Sequence, residues 1–245
     1  MTKIRLNRVI SRDGLSSVRE ADELIQQGRV LVNGVAVTEL GSIVDPRTDR
    51  ITVDGEPVGG HKKKHYYLFF KPKGVVSTME DPQGRPSIVN FVAGLSVRIF
   101  PAGRLDYDAD GLMLLTNDGR ITNLVMAPRS KLPKTYQVKV SGTLTERDLT
   151  RFTSGIRIEG QKTLPARIAP LEVRPNNAWY EVTLAEGRNR QIKKMFTFFG
   201  KRVLKIRRIA IGPLSLEGMA PGEVRKLTAR EIELLLSALG VKEEQ

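Results

Sequence analysis

Apolar positions along this chain recur at helical spacing in a few stretches and as short unbroken runs elsewhere. Leu6, Val9 and Ile10 form one face of a short helix that Asp13-Gly14 ends. Ser17-Val18-Arg19-Glu20 is a capping-box sequence, so a second helix starts there. Its apolar face is Ala21, Leu24 and Ile25, and Gly28 closes it. Arg29-Val30-Leu31-Val32 and Val35-Ala36-Val37 flank Asn33-Gly34, a strong hairpin signal. Ile51-Thr52-Val53 before Asp54-Gly55 predicts one more strand. Residues 1–58 therefore read as one small module. Pro57 to His65, with Gly59-Gly60 and three lysines, reads as a hinge, which sets the linker at 59–65.

A second domain, 66–245, opens at the apolar run Tyr66–Phe70, which Lys71-Pro72-Lys73-Gly74 ends. Strand-like runs follow at Val97–Phe100, Leu112–Leu115, Tyr136–Val140, Ile156–Ile158 and Trp179–Leu184. Ile192, Met195, Phe196 and Phe199 repeat at helical spacing, with Gly200 as the stop. A further capping box, Thr228-Ala229-Arg230-Glu231, starts a last helix that buries Ile232, Leu235, Leu236 and Leu239. The expected fold class is α+β, with a mixed and mainly antiparallel sheet.

Composition removes several chemistries. There is no cysteine, so thiolate nucleophiles, disulfides and cysteine-based zinc sites are excluded. The two histidines, His61 and His65, bracket Lys62-Lys63-Lys64 in the hinge, which leaves Ser-His catalysis and His-rich metal sites without support. Catalysis must rest on carboxylates, tyrosine, lysine or arginine. No apolar run approaches the ~20 residues of a membrane span, and the N-terminus lacks the apolar core of a signal peptide. A cytoplasmic protein is expected.

Charge then names a partner. The formal net charge is +13, and almost all of the excess lies beyond residue 64. Between Gly187 and Leu216 there are nine basic residues and no acidic one. A long stretch of one sign in a folded segment implies a polyanion, and nucleic acid fits better than a membrane surface because the apolar residues here serve a core. In the first module Arg5, Arg8 and Arg12 share the side of the first helix opposite its apolar face, and Arg19 joins them from the second.

The densest chemistry is Gly103-Arg104-Leu105-Asp106-Tyr107-Asp108-Ala109-Asp110-Gly111. Three alternating carboxylates before a glycine invite a calcium loop. Counted from Asp106, however, the ninth position is Leu114 and the twelfth, which should be a bidentate Glu, is Asn117. Calcium is a poor fit, and a polar turn before a buried strand remains the plain alternative.

Context decides between them. Gly103–Asp106 with Gly111–Gly119 closely resembles the first motif of bacterial ribosomal RNA pseudouridine synthases of the RsuA/RluB family. Lys134-Thr135-Tyr136 resembles the second motif and Glu186–Met195 the third, while residues 1–58 resemble the alpha-L RNA-binding domain of that group. The resemblance implies isomerisation of a uridine in ribosomal RNA to pseudouridine, with no cofactor and no metal. A large-subunit target, free or in an assembly intermediate, and a monomeric enzyme are expected. It also implies that Asp106 is the essential carboxylate, either attacking the nucleoside or deprotonating its sugar. Tyr136 then lies against the base, Lys193 beside Asp106, and Arg104 near the flipped nucleotide. Where the family often carries Thr-Ser, this chain has Ala109-Asp110, so extra negative charge crowds Asp106 and a fixed cation is needed to offset it. On helical geometry Lys193 borders the buried face set by Ile192, whereas Lys194 points away. Arg188, Arg190, Lys201, Arg202, Lys205, Arg207 and Arg208 are read as contacts to the RNA backbone, which supply affinity rather than choice of base. A methyltransferase would need a glycine-rich cofactor loop and a synthetase a histidine-bearing nucleotide signature, and the chain has neither. A binding protein without turnover is the remaining alternative.

Overall fold

The computed structural model describes residues 3–59, 63–127 and 131–241. Gly60, His61 and Lys62 of the expected hinge lie outside the described residues. The chain divides into two compact units, each with its own hydrophobic interior.

In the first unit α1 (Leu6–Arg12) follows a two-residue strand, β1 (Ile4–Arg5), and α2 (Val18–Gln26) carries the expected capping box at Ser17 and Glu20. Leu6, Ile10, Ala21 and Ile25 are fully buried between the helices and the strands β2 (Val30–Val32), β3 (Val35–Ala36), β4 (Ile43–Val44), β5 (Ile51–Val53) and β6 (Glu56–Pro57). The hairpin β2–β3 turns at Asn33 (φ 54°) and Gly34 (φ 84°), the two left-handed residues that a tight type I′ turn requires. Two departures from the sequence reading stand out. Pro57 ends β6, paired to β5, rather than opening a hinge. The unit also takes in Leu95–Phe100 and Thr116–Thr122, so it is not confined to 1–58. The reason is a set of polar ties: Asn117 accepts from the His65 amide at 2.8 Å, Thr116 donates to the His65 carbonyl at 2.7 Å, and Tyr66 donates to Asp118 at 2.9 Å. Arg98, from the run expected to be a strand, donates to the Leu15 carbonyl and to Glu20. Of that run only Phe100 is in a strand, the two-residue β8 (Phe100–Pro101).

The second unit is built on a nine-stranded sheet. The remaining elements of the chain are β7 (Tyr66–Lys71), α3 (Val89–Val92), β9 (Asp110–Thr116), α4 (Gly119–Met126), β10 (Lys134–Ser141), α5 (Glu146–Ser154), the small hairpin β11 (Arg157–Ile158) and β12 (Gln161–Lys162), β13 (Ala166–Arg174), β14 (Asn177–Leu184), α6 (Gln191–Phe198), β15 (Val203–Ile211), β16 (Leu214–Ser215), β17 (Val224–Lys226) and α7 (Ala229–Ala238). The order across the sheet is β13-β14-β10-β15-β9-β7-β17. β10 and β14 alternate buried and open positions, as strands with one covered face do. β7 and β9 are buried along nearly their whole length, with Leu112 to Leu115 at 0% exposure, so both faces are covered at the centre. Most pairings are antiparallel, but β9 and β15 run parallel, matching Asp110 with Arg207 and Gly111 with Arg208.

Gly111 is obligatory at that junction. It sits at φ +119°, and a Cβ there would lie 2.3 Å from the Arg208 carbonyl oxygen and 2.5 Å from its nitrogen. Backbone on backbone cannot yield as a side chain would. Gly111→Ala is therefore expected to destabilise the protein by at least about 3 kcal/mol, read as the shift in its urea unfolding midpoint. A change below about 1 kcal/mol would show that the junction is not tight.

Candidate active site

Asp106 lies in the loop between β8 and β9, and the loop is held at several points. The Ser77 hydroxyl accepts from the Leu105 amide at 3.0 Å and donates to the Leu105 carbonyl at 2.7 Å, which fixes the peptide entering Asp106. On the other side the Tyr107 carbonyl accepts from the Gly74 amide at 2.8 Å, and Ala109 donates back to the Asp106 carbonyl at 3.1 Å. The loop thus presents its carboxylates on a set backbone.

The cation comes from α6. Ile192, Met195 and Phe196 are buried, and Phe196 meets Phe152 and Tyr180 at ring separations of 5.3 and 5.9 Å. With that face locked, the next position round, Lys193, projects to the loop. Its Nζ stands 3.0 Å from an Asp106 oxygen and 2.6 Å from an Asp108 oxygen. Lys194 instead pairs with Glu159 at 2.7 Å, the opposite orientation expected from helical spacing. The third carboxylate, Asp110, goes elsewhere and takes a bidentate pair with Arg207 at 2.7 and 3.0 Å. Burial by itself would raise the Asp108 carboxyl, but the hydrogen bond and charge of Lys193, with help from Arg190, hold it below the ordinary value. No three His, Asp or Glu side chains converge on a metal-sized site among the described residues.

Asp106, Arg104, Tyr136, Arg190 and Lys193 line one cleft, floored by Leu184, Ile192 and Ile206. Tyr136 reaches it from β10 and is 9% exposed, its ring within the wall of the cleft. Arg104 is exposed at the rim. The third-motif segment is organised by a residue to which sequence assigned no role. Buried Glu186 accepts from the Leu164 amide at 3.0 Å, from Gln191 Nε2 at 2.7 Å and from Arg188 Nε at 3.0 Å. Arg190, which starts α6, holds a left-handed conformation at φ 51°. Such strain in a residue other than glycine gathers at functional sites.

The basic residues divide into three groups. Arg190, Lys201 and Arg202 share a groove with Lys193 that adjoins the cleft, and Lys205 is exposed on β15. Arg5, Arg8, Arg12 and Arg19 are exposed in the first unit. Two side chains are engaged by protein partners: Arg188, half-buried, by Glu186 and the Lys162 carbonyl, and Arg207, exposed, by Asp110 with the Phe70 ring 5.2 Å from its guanidinium. Arg208 corrects the sequence reading. It is 4% exposed and donates to the Leu112 carbonyl at 2.7 Å, so it cannot serve as a phosphate contact. Alternation with Lys205 and Arg207 on a strand that sequence did not mark concealed its inward side.

Lys71 was also not foreseen as part of this region. It is fully buried at the end of β7, where its ammonium donates to the Pro72 and Val75 carbonyls, each at 2.8 Å. Burial lowers it from 10.5 to about 8, against the upward pull of Asp110, Asp108 and Asp106.

Matches to known proteins follow the same lines. Residues 65–198 match the RNA pseudouridylate synthase family, and residues 4–51 match the S4 domain. The chain is 41% identical over 233 residues to ribosomal large subunit pseudouridine synthase B of Bacillus subtilis, covering 94% of this chain and 95% of that one. It is 38% identical over 243 residues to an RNA pseudouridine synthase of Aquifex aeolicus, covering 99% and 97%. A solved pseudouridylate synthase structure superposes with a TM-score of 0.68 at 31% identity, over 95% of this chain and 99% of that one. The fold and the cleft are those of an RNA-modifying isomerase. The chain belongs to the RNA pseudouridine synthases, in the RsuA/RluB group that carries an N-terminal S4 domain.

The Lys71 environment sets a pH dependence. Unfolded, Lys71 keeps its proton to pH 10.5; folded, only to about 8. Between these values the unfolded chain binds the extra proton, so raising the pH through this window favours folding. Comparison with Lys71→Met isolates the effect. Urea unfolding from pH 7 to 10 should show wild type gaining on the variant above pH 8, by about 1.4 kcal/mol for each unit of displacement. Parallel pH curves would contradict it.

Proposed function

We propose that this protein converts a uridine of large-subunit ribosomal RNA to pseudouridine, with Asp106 as the essential carboxylate. The observation that carries the proposal is the Lys193 ammonium, 3.0 Å from Asp106 in a cleft walled by Tyr136 and Arg104. In the reaction the N1–C1′ bond breaks, uracil turns, and C5 bonds to C1′. The C5 hydrogen leaves as a proton and N1 takes one up, so product and substrate are isomers. Whether it attacks the nucleoside or deprotonates the sugar, Asp106 must carry charge as it reaches the ribose, and Lys193 favours that charge electrostatically. Tyr136 offers an aromatic face to the uracil and Arg104 stands where the strand enters, which suits a nucleotide turned out of its stack.

The first unit acts as the docking module and the second as the catalytic domain. Arg5, Arg8, Arg12 and Arg19 on the first, with Arg190, Lys201, Arg202 and Lys205 on the second, meet RNA phosphates. The enzyme works as a monomer in the cytoplasm, on ribosomal RNA that is free or in an assembly intermediate. The name of the Bacillus subtilis relative supports the choice of subunit.

Ribosomal RNA labelled with tritium at uridine C5 tests this reading. Wild type should release tritium to water. Asp106→Asn should lower release by at least about 10³-fold while RNA affinity stays within a few-fold. Release by the Asn variant at the wild-type rate would reject the assignment.

A further inference from the structure

A second groove, within the same unit, shares Arg104, Leu105 and Asp106 with the cleft. Ser77, Thr78, Asp81, Arg85 and Tyr107 line it, and Arg104 and Asp106 belong to both walls. The loop that forms its outer side is firmly closed. Val76 bridges to Ser87, the Gly84 amide donates to the Asp81 carbonyl at 3.0 Å, and Arg85 grips Asp81 through two bonds of 3.1 and 2.7 Å. Ser77 ties this loop to Leu105, as described above.

Tyr107 is the anomaly of the groove. Tyr66, Tyr67, Tyr136 and Tyr180 are all buried to less than 10% exposure, whereas Tyr107 is 51% exposed. Its backbone is nevertheless fixed by the Gly74 bond, so the ring is displayed from a set position and not from a loose loop. It follows Asp106 directly in the chain, with Cα atoms about 3.8 Å apart. Tyr107 therefore borders a groove that shares Arg104, Leu105 and Asp106 with the cleft, where the strand flanking a bound nucleotide can run. Arg104, between the two, makes no hydrogen bond or ion pair among the described residues, and its guanidinium suits a phosphodiester.

We infer that this groove holds the nucleotide next to the target uridine, with its base stacked on Tyr107 and the linking phosphodiester on Arg104. The inference rests on the reading of the cleft as a uridine site. The physical need is plain: when a uridine turns out of the stack, its neighbour loses a stacking partner, and an aromatic ring replaces it whatever the base.

The test uses a synthetic RNA hairpin spanning the uridine that wild type modifies, with the nucleotide on each side replaced in turn by an abasic ribose. Pseudouridine formation is measured against RNA concentration for wild type, Tyr107→Ala and Tyr107→Phe. On intact RNA, Tyr107→Ala should raise the half-saturating concentration about 10-fold, and Tyr107→Phe, which keeps the ring, should recover most of that. On RNA abasic at one of the two flanking positions, wild type and Tyr107→Ala should agree within about 2-fold. An alanine penalty of equal size on every RNA, no penalty on intact RNA, or a phenylalanine variant as impaired as alanine would each overturn the inference. Absence of turnover by wild type itself would reject the functional reading, and this inference with it.

Discussion

The site depends on one ammonium placed between two carboxylates. Without Lys193, Asp106 and Asp108 would stand as two unpaired carboxylates on one loop, each opposing the charge of the other. With Nζ at 3.0 and 2.6 Å from them, that repulsion becomes a bridge tying α6 to the loop before β9. The pair is only partly exposed, so solvent screens it less than it would a surface ion pair. Asp110 is removed from the competition by its own bidentate partner, Arg207. Of the three alternating acids, Asp106 and Asp108 therefore share Lys193, and Asp110 is held by Arg207.

Much of the sheet serves to keep that bridge in place. Lys193 points to the loop because Ile192, Met195 and Phe196 fill the interior beside Phe152 and Tyr180, which leaves α6 no freedom to roll. Arg207 reaches Asp110 because β15 runs parallel to β9 at Gly111, where the backbones approach too closely for any side chain. Glu186 gathers the segment leading to α6 through three accepted hydrogen bonds. Charge, packing and backbone contact act on the same few atoms.

The two helices of the first unit, α6, α7 and the β2–β3 hairpin were legible in the sequence because their signals are local, whereas α3, α4 and α5 were not named, although Thr145 and Asp148 form a capping box at the start of α5. The capping boxes at Ser17 and Thr228 and the Asn33-Gly34 turn all stand as read. β13 and β15 were not legible. The first is an edge strand with exposed positions on both faces and a register shift after Pro170; the second mixes apolar and basic residues without regular alternation, and its buried positions include Arg208 beside Ile206 and Ile211. Missing β15 led directly to the misreading of Arg208, since its inward side follows from a strand pairing and not from composition. The residues of the cleft were named in advance only because their motifs resemble a family. Glu186, Ser77 and Lys71, which act on backbone atoms or through buried charge, carry no pattern that sequence alone could single out. The extent of the first unit likewise rests on contacts some fifty residues apart in the chain, such as Tyr66 with Asp118.

The most direct test of this account is the single-turnover rate of pseudouridine formation by Lys193→Met, measured beside its affinity for the same RNA. Methionine keeps the length and the apolar stem while removing the charge, so α6 should remain seated. The account predicts a fall in rate of about 10²–10³-fold, in the range found when one preorganised charge-stabilising group is lost, with affinity changed by less than about 3-fold. A variant that turns over at the wild-type rate would contradict it.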